Sequence, residues 1–282
     1  MAVKLMFVHA LSALHVGTGQ GVGTIDLPIA RERATNLPVV PGSSIKGCLR
    51  DVCRDQVDCD TVFGKQDAAG MLQAADARLL LLPVRCLGAT FIWTTSPYVL
   101  RRLARDATAA GAGQGMPAIP TLADAKARLA TADALVNVNN RSRLVLEDLD
   151  FEPSVAEAAP WADWIATRLF PADTEWQTEF RKRFAIVDDK SFHFLADFAT
   201  EVSAHVRIAQ ETGTVDPGAL WYQEALPAET VLVSLFRTEQ RPGSSSPQTV
   251  LQTVSAERVL QMGGKATTGQ GLVRFVPAGG ES

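Results

Sequence analysis

Cysteine and histidine chemistry is thin in this chain. Its 282 residues hold four cysteines (Cys48, Cys53, Cys59, Cys86) with no C-x-x-C pair, and four histidines (His9, His15, His193, His205) with no H-x-x-x-H pair. This argues against a zinc centre or a redox dithiol and favours reduced cysteines packed in a core. Long apolar runs are missing too. The longest aliphatic stretch, Leu79 to Val84, is far shorter than a bilayer demands and is interrupted by Pro83. The N-terminal MAVKLMFVHALSAL is broken by His9 and Ser12, so it reads as a first strand rather than a signal peptide, and the expected location is cytoplasmic with no membrane contact. Positive charge is not in excess either: the formal net charge is −4. That rules out a protein held on nucleic acid by a general positive field, but leaves room for a local groove.

What is present is globular material, with 46% apolar and 21% charged residues. Charge is segregated along the chain. Pro41 to Arg54 is basic through Lys46, Arg50 and Arg54 against Asp51 alone. Leu146 to Asp163 carries Glu147, Asp148, Asp150, Glu152, Glu157 and Asp163 with no lysine or arginine, a stretch that a polyanion should avoid.

The periodicity predicts a strand over Val3 to Ala13, then a helix with Ser43 or Ser44 as N-cap and Ile45, Cys48, Leu49, Val52 and Cys53 on its buried face. Lys46, Arg50 and Arg54 form a basic stripe on another face. Two strands follow over Ala77 to Thr95, hinged at Leu87-Gly88, and Ser96-Pro97 starts a second helix. Strand, helix, two strands, helix is the opening of a ferredoxin-like, RRM-like βαββαβ unit in an α+β fold. Residues 107–115 read as a flexible break. Beyond it the pattern suggests a short helix near 122–132, a strand near 143–149, and helices near 160–184 and 191–206. A returning strand is expected over 229–238, a helix over 248–262 and a last strand over 271–276. The whole chain is expected to form one domain, its core in about 1–106 and 218–277, with an inserted part at about 107–217.

Three motifs carry chemistry. A glycine-rich loop from Gly17 to Gly23 leads to an isolated carboxylate, Asp26. Pro41-Gly42-Ser43-Ser44 looks like a helix mouth, where unpaired N–H groups, two hydroxyls and Lys46 suit a phosphate. The tail segment GGKATTGQG (263–271) lacks Walker A spacing, and reads as a glycine-rich turn able to approach a phosphate backbone closely. Asp26 beside turn residues suits either a turn or a metal ion or ribose hydroxyl held near phosphate. His15 suits acid–base work near neutral pH or a structural role at a strand end. Arg31-Glu32 fits a local ion pair or an RNA contact, and Trp221 and Tyr222 fit base stacking or core packing.

Taken together, H-x-G-T-G (15–19), I-D-L-P-I-x-R-E (25–32), T-x-x-P-x-x-P-G-S-S-I-K-G-x-L-R (35–50), P-V-R (83–85), T-S-P-x-V-L-x-R (95–102) and G-G-K-A-T-x-G-x-G-L-V (263–273) resemble the RAMP superfamily of CRISPR proteins. Within it they resemble the repeated backbone subunit of type III-B (Cmr) RNA-guided effector complexes. The pieces run in the family's order over nearly the whole chain, and the I-D-L-P and P-G-S-S-I-K-G-x-L-R pair is specific.

The resemblance implies a RAMP palm with helical insertions and a projecting β-hairpin thumb from about 17–36. It implies copies stacked head to tail on a crRNA, in company with other Cmr subunits, and cleavage of complementary target RNA at regular intervals. Asp26 matches the position expected to be essential for cleavage, with a divalent ion (Mg or Mn) as cofactor and Asp26 as its ligand. His15 and Glu224 match accessory catalytic positions. Ser43, Ser44, Lys46 and Arg50 match guide-phosphate contacts, as do Gly263, Gly264, Lys265, Thr267 and Thr268 in the glycine-rich loop. Gln223 stands where a second acid is expected, which weakens a two-carboxylate mechanism. A purely structural guide-binding subunit is the alternative within the family. A metal-independent processing nuclease using His15 and a small-molecule phosphate-binding enzyme are the others.

Overall fold

Strand β1 (Ala2–Ala10) is apolar on both sides because it lies inside a sheet covered on both faces. Met6, Val8 and Ala10 belong to one hydrophobic cluster and Leu5 and Phe7 to the other. This computed structural model describes residues 1–19, 21, 24–208, 211 and 214–279.

The elements after β1 are α1 (Gly42–Val52), β2 (Ala77–Cys86), β3 (Ala89–Thr95) and α2 (Pro97–Ala109). They continue with β4 (Lys126–Leu129), β5 (Arg141–Leu146), β6 (Leu149–Ser154), α3 (Ala159–Leu169), α4 (Thr174–Lys182), β7 (Phe184–Val187) and α5 (Asp189–Phe198). The chain closes with β8 (Glu201–Ile208), β9 (Val215–Ala225), β10 (Val231–Thr238), α6 (Pro247–Val254), β11 (Arg258–Gln261) and β12 (Leu272–Pro277). The main sheet has the order β11-β12-β1-β10-β2-β3-β7-β4-β6-β5.

Within it, β12-β1-β10-β2 are antiparallel neighbours, with Leu5 opposite Leu235 and Phe7 opposite Val276. Helix α1 connects β1 to β2 and α6 connects β10 to β12. Ile45 and Leu49 of α1 and Val250, Leu251 and Val254 of α6 share one cluster, so both helices cover the same face. Each fully buried Ile or Leu of this kind is worth roughly 1.5–3 kcal/mol. The second helix on this face is therefore α6, not the helix at Pro97. Val99, Leu100 and Leu103 of α2 pack in the opposite cluster, together with Trp93, Trp161, Phe180, Phe184 and Phe192. That cluster is continuous from Leu5 and Phe7 into α3, α4 and α5.

Several local expectations hold. Ser96 caps α2 by accepting from the Val99 N–H, and β2 and β3 pair across the Leu87-Gly88 turn. Others are corrected. Helix α1 starts at Gly42 with Pro41 as N-cap, not at Ser43 or Ser44. The cause is crowding: a Cβ on Gly42 would lie 2.1 Å from the Ala74 carbonyl oxygen, and Asp76 Oδ1 accepts from the Gly42 N–H at 2.8 Å. Val52 ends α1 on its exposed side. Residues 122–132 form no helix despite their helix-forming composition; β4 is flanked by β6 and β7, and that pairing overrides propensity. The stretch 160–184 is two helices separated by Pro171, with Asp173 capping the second. Helix α5 stops at Phe198, and the alternating residues after Thr200 pair with β9 instead. Helix α6 stops at Val254, and Arg258–Gln261 become an edge strand on β12. Helix α2 runs through Ala109, so the break reduces to turns ending at Gly115.

Strands β8 and β9 form a separate two-stranded sheet, largely exposed along β8. The excursion 17–36 contains no regular strand among its described residues, only bridges from Gly17 to Ile29, Leu27 to Gln223 and Arg31 to Pro38. Gly23, the end of the glycine-rich loop read from the sequence, lies outside the described residues. All four cysteines are free. Among the described residues, no helix is long and apolar enough to cross a membrane.

Candidate functional site

Five stretches distant in sequence meet beyond the C-terminal end of β1: His15 to Gly17, Asp26 to Arg31, α1, the end of β9 and the loop 263–271. His15 follows β1 and is buried. Its Nδ1 lies 2.7 Å from the Glu224 carbonyl oxygen, which can only accept, so Nδ1 carries the proton and Nε2 of the neutral ring is left with a lone pair. A Cβ on Gly17 would come within 2.8 Å of that Nε2. The His15 carbonyl accepts from the Gly264 N–H at 3.0 Å. Gly263 has φ +78°, and a Cβ there would sit 2.3 Å from the His15 carbonyl oxygen, so only glycine fits. The Gly263 backbone also bonds the Cys48 thiol of α1, a thiol whose pKa is raised by burial.

Asp26 is exposed, and its Oδ2 accepts from the Tyr222 N–H at 2.7 Å. The following residues run parallel to β9. Leu27 donates to the Tyr222 carbonyl at 3.0 Å, and the Leu27 carbonyl accepts from the Glu224 N–H at 3.0 Å. Asp26 is thus a carboxylate fastened by one oxygen to the edge of the hairpin, with no side-chain or amide partner for the other oxygen among the described residues.

Glu224 is different. It is 3% exposed, and its carboxylate accepts from the Ile29 N–H (3.1 Å), Arg31 Nη2 (2.6 Å) and Thr200 Oγ1 (2.9 Å). Glu32 accepts two hydrogen bonds from the Arg102 guanidinium of α2 and one from the Thr35 hydroxyl. Arg31-Glu32 is therefore a pair of internal ion pairs, one to the hairpin and one to α2.

On the basic side, the helix mouth is less open than the sequence suggests. Asp76 takes the Gly42 N–H, and the Pro41 carbonyl takes those of Ser44 and Ile45. Among the described residues, the Ser43 and Ser44 hydroxyls and the Lys46 ammonium have no partner. Burial, reinforced by Arg50 one turn away, holds Lys46 below the usual lysine value. Arg50 is already engaged, donating to the Gly64 carbonyl and to Asp60. Arg54 is paired with Asp51. Loop 263–269 is exposed throughout. Lys265 adopts φ +65° and reaches to 5.8 Å from the Trp221 ring, which stacks on His205 at 5.6 Å. Thr268 Oγ1 closes the loop by donating to the Lys265 carbonyl at 2.8 Å, while Thr267 stays free. Gln223 is buried and donates to Gln270 of the same loop at 2.6 Å.

The structure thus brings His15, Asp26, Glu224, Gly263, Gly264 and Lys265 into one neighbourhood, with α1 joined through Cys48. Sequence reasoning missed the Tyr222 amide that holds Asp26, the Arg31 contact and Asp76 at the helix mouth. A backbone amide leaves no mark in a sequence, and the Arg31 partner lies 193 positions away. No group of three or more His, Cys, Asp or Glu able to hold a metal occurs among the described residues.

Comparison with known proteins agrees with this picture. The family description "RAMP superfamily" matches residues 7–274. The CRISPR system Cmr endoribonuclease Cmr4 of Pyrococcus furiosus is 31% identical, over 97% of this chain and 95% of that protein. The CRISPR system CMR subunit Cmr4 of Saccharolobus solfataricus is 23% identical over 97% of this chain and 96% of that protein. The crystal structure of oligomeric Cmr4 from Pyrococcus furiosus superposes with a TM-score of 0.75 at 26% identity, covering both chains in full. A chain of a type III-B Cmr-beta complex bound to cognate target RNA shares the fold, with a TM-score of 0.74 at 17% identity over 99% of this chain and 98% of that one.

Proposed function

The chain belongs to the RAMP superfamily, and from that membership we propose that it is the crRNA-binding backbone subunit of a type III-B CRISPR effector complex, cutting complementary target RNA at regular intervals. Kinship to the Pyrococcus furiosus Cmr endoribonuclease over nearly the full length of both proteins supports the activity. Oligomeric Cmr4 and the target-bound Cmr-beta complex support the partners: further copies of this chain, other Cmr subunits, crRNA and target RNA. Such a particle works in the cytoplasm. In this reading β12-β1-β10-β2 with α1 and α6 is the ferredoxin-like palm, and residues 87–230 are its insertion. The thumb expected over about 17–36 is extended in this reading to the β8–β9 hairpin, along which the Asp26 segment is laid.

The observation that carries the reading is Asp26: an exposed carboxylate, locked by the Tyr222 amide at the hairpin edge, beside a buried His15 and an exposed glycine-rich loop. Lys46, the Ser43 and Ser44 hydroxyls and the exposed glycine-rich loop with Lys265, Thr267 and Thr268 take the guide backbone. Arg50 braces α1 against Gly64 and Asp60.

Cleavage needs the ribose 2′-oxygen to attack the neighbouring phosphorus as the bond to the 5′-oxygen breaks. The 2′ proton goes to a base, the leaving oxygen gains a proton, and the products end in a 2′,3′-cyclic phosphate and a 5′-hydroxyl. Splaying the target nucleotide across the hairpin aligns oxygen and phosphorus, which supplies much of the rate. The Nε2 lone pair of His15 is the candidate for proton transfer. Asp26 would be the residue that holds a Mg²⁺ or Mn²⁺ ion, since such ions are commonly held by a single protein carboxylate. Such an ion would neutralise charge developing on the phosphate.

The test is target cleavage by the guide-loaded complex with and without EDTA, with analysis of product ends. Cuts that vanish in EDTA and return with Mg²⁺, leaving cyclic-phosphate ends, are expected. EDTA-resistant cutting would remove the metal, and no cutting under any condition would leave a guide-binding scaffold.

A further inference from the structure

Resting on the same reading of the site, we propose that Arg31 is a positioning residue for cleavage. Its guanidinium, paired to Glu224, clamps the Asp26 strand to the hairpin, and neither residue touches RNA or moves a proton. The Arg31 side chain is only 16% exposed and that of Glu224 4%. Arg31 Nη2 donates to Glu224 Oε1 at 2.6 Å. Its Nη1 lies within 2.9 Å of the Asn36 carbonyl, 3.0 Å of the Ala196 carbonyl and 3.3 Å of Asp197 Oδ1. One side chain therefore joins the strand after Asp26, the end of β9 and the C-terminal end of α5.

Glu224 passes this restraint on. Its second oxygen accepts from the Ile29 N–H, and its own N–H donates to the Leu27 carbonyl. Residues 26–29 are thus stitched to 222–224 by four hydrogen bonds, two of them made by Glu224. Its peptide carbonyl also fixes the His15 ring. The clamp therefore sets the relative placement of Asp26 and His15. A buried carboxylate that already accepts three hydrogen bonds, one of them from a paired guanidinium, is poorly placed and weakly basic for taking a proton from a ribose. Removing Arg31 alone leaves a buried, uncompensated charge that pulls the stitch apart, whereas neutralising both partners leaves hydrogen-bonding amides in their place.

The experiment uses the assembled, guide-loaded complex and single-turnover target cleavage, with target affinity measured in parallel. It compares Arg31→Gln, Glu224→Gln, the double variant, Arg31→Lys and Asp26→Ala. Arg31→Gln is expected to slow cleavage about 100-fold, the scale of a misplaced catalytic group, with affinity unchanged. Glu224→Gln should lose only a few-fold, and the double variant should recover most of the rate lost in Arg31→Gln. Arg31→Lys, which keeps the charge but not the fork, should fall between wild type and Arg31→Gln. Amide exchange at Leu27 and Tyr222 in the isolated chain should quicken in Arg31→Gln, a readout independent of activity and of assembly.

Wild-type cleavage in Arg31→Gln would overturn the proposal. So would loss of affinity in step with rate, which marks an RNA contact. A Glu224→Gln variant as inactive as Asp26→Ala, with the double variant no better, would make Glu224 part of the chemistry and overturn it too. Asp26→Ala separates the two levels: full cutting there rejects the site itself, whereas inactivity there with an indifferent Arg31 rejects only the clamp.

Discussion

Single residues in the site are held by approaches too close for a methyl group. Gly263 combines φ +78° with a would-be Cβ 2.3 Å from the His15 carbonyl oxygen, whereas Gly269 has φ +81° with open space around it. Gly269→Ala should therefore cost only the left-handed penalty of roughly 1–2 kcal/mol. Gly263→Ala should cost more and disturb His15 as well, so its Tm should drop further and its cleavage rate fall with it. Equal Tm losses would contradict the contact. Lys46 and Arg50 diverge in the same way. Lys46 is unpaired, so Lys46→Gln should weaken guide binding and lower the salt slope by about 0.7, the share of one phosphate on a single strand. Its lowered pKa means that its contribution to binding fades as pH rises, sooner than for an ordinary lysine. Arg50 is engaged with Gly64 and Asp60, so Arg50→Gln should show mainly as a lower Tm with a smaller change in slope.

Between elements, the segment after Asp26 is anchored twice, by Arg31 to the hairpin and by Glu32 to α2. Burial pushes the Glu32 carboxyl up, but bonds to Arg102 and Thr35 outweigh it, and the net value lies below the ordinary 4.5. A carboxylate with a depressed folded pKa contributes stability above its unfolded value, and that stability is lost as pH falls through the folded one. Arg102→Gln should therefore lower Tm at neutral pH and flatten its acid decline below about pH 4.5. An acid limb as steep as wild type would contradict the anchor. The resemblance carried by I-D-L-P singles out Asp26 in the sequence, whereas the partner of its segment leaves no such mark. Residues 201–208 alternate with period two, yet they follow α5 with only Ala199 and Thr200 between and were read as more helix. The hairpin stayed hidden, and with it the reason that Asp26 lies where it does. By contrast Ser96-Pro97 and the Leu87-Gly88 turn announce their structures locally, through a cap and a tight turn.

At the scale of the whole molecule, the proposed RNA binding is compatible with an acidic protein because its charge is divided. Lys46 and Lys265 border the site, while the acidic run from Leu146 to Asp163 spans β6 and the start of α3. The antiparallel unit β12-β1-β10-β2 was only partly readable, because its two halves are separated by residues 87–230 and its second helix comes late in the chain. Strand β2 is adjacent to β3 in sequence, and nothing local says that its other neighbour is β10. In the proposed reading Asp26 performs cleavage while the rest of the chain grips guide and target. The most direct test is target cleavage by the guide-loaded complex carrying Asp26→Ala beside wild type, with target affinity followed in both. Regularly spaced cuts lost in the variant with affinity unchanged are the predicted result, and the same cuts at the wild-type rate would contradict it.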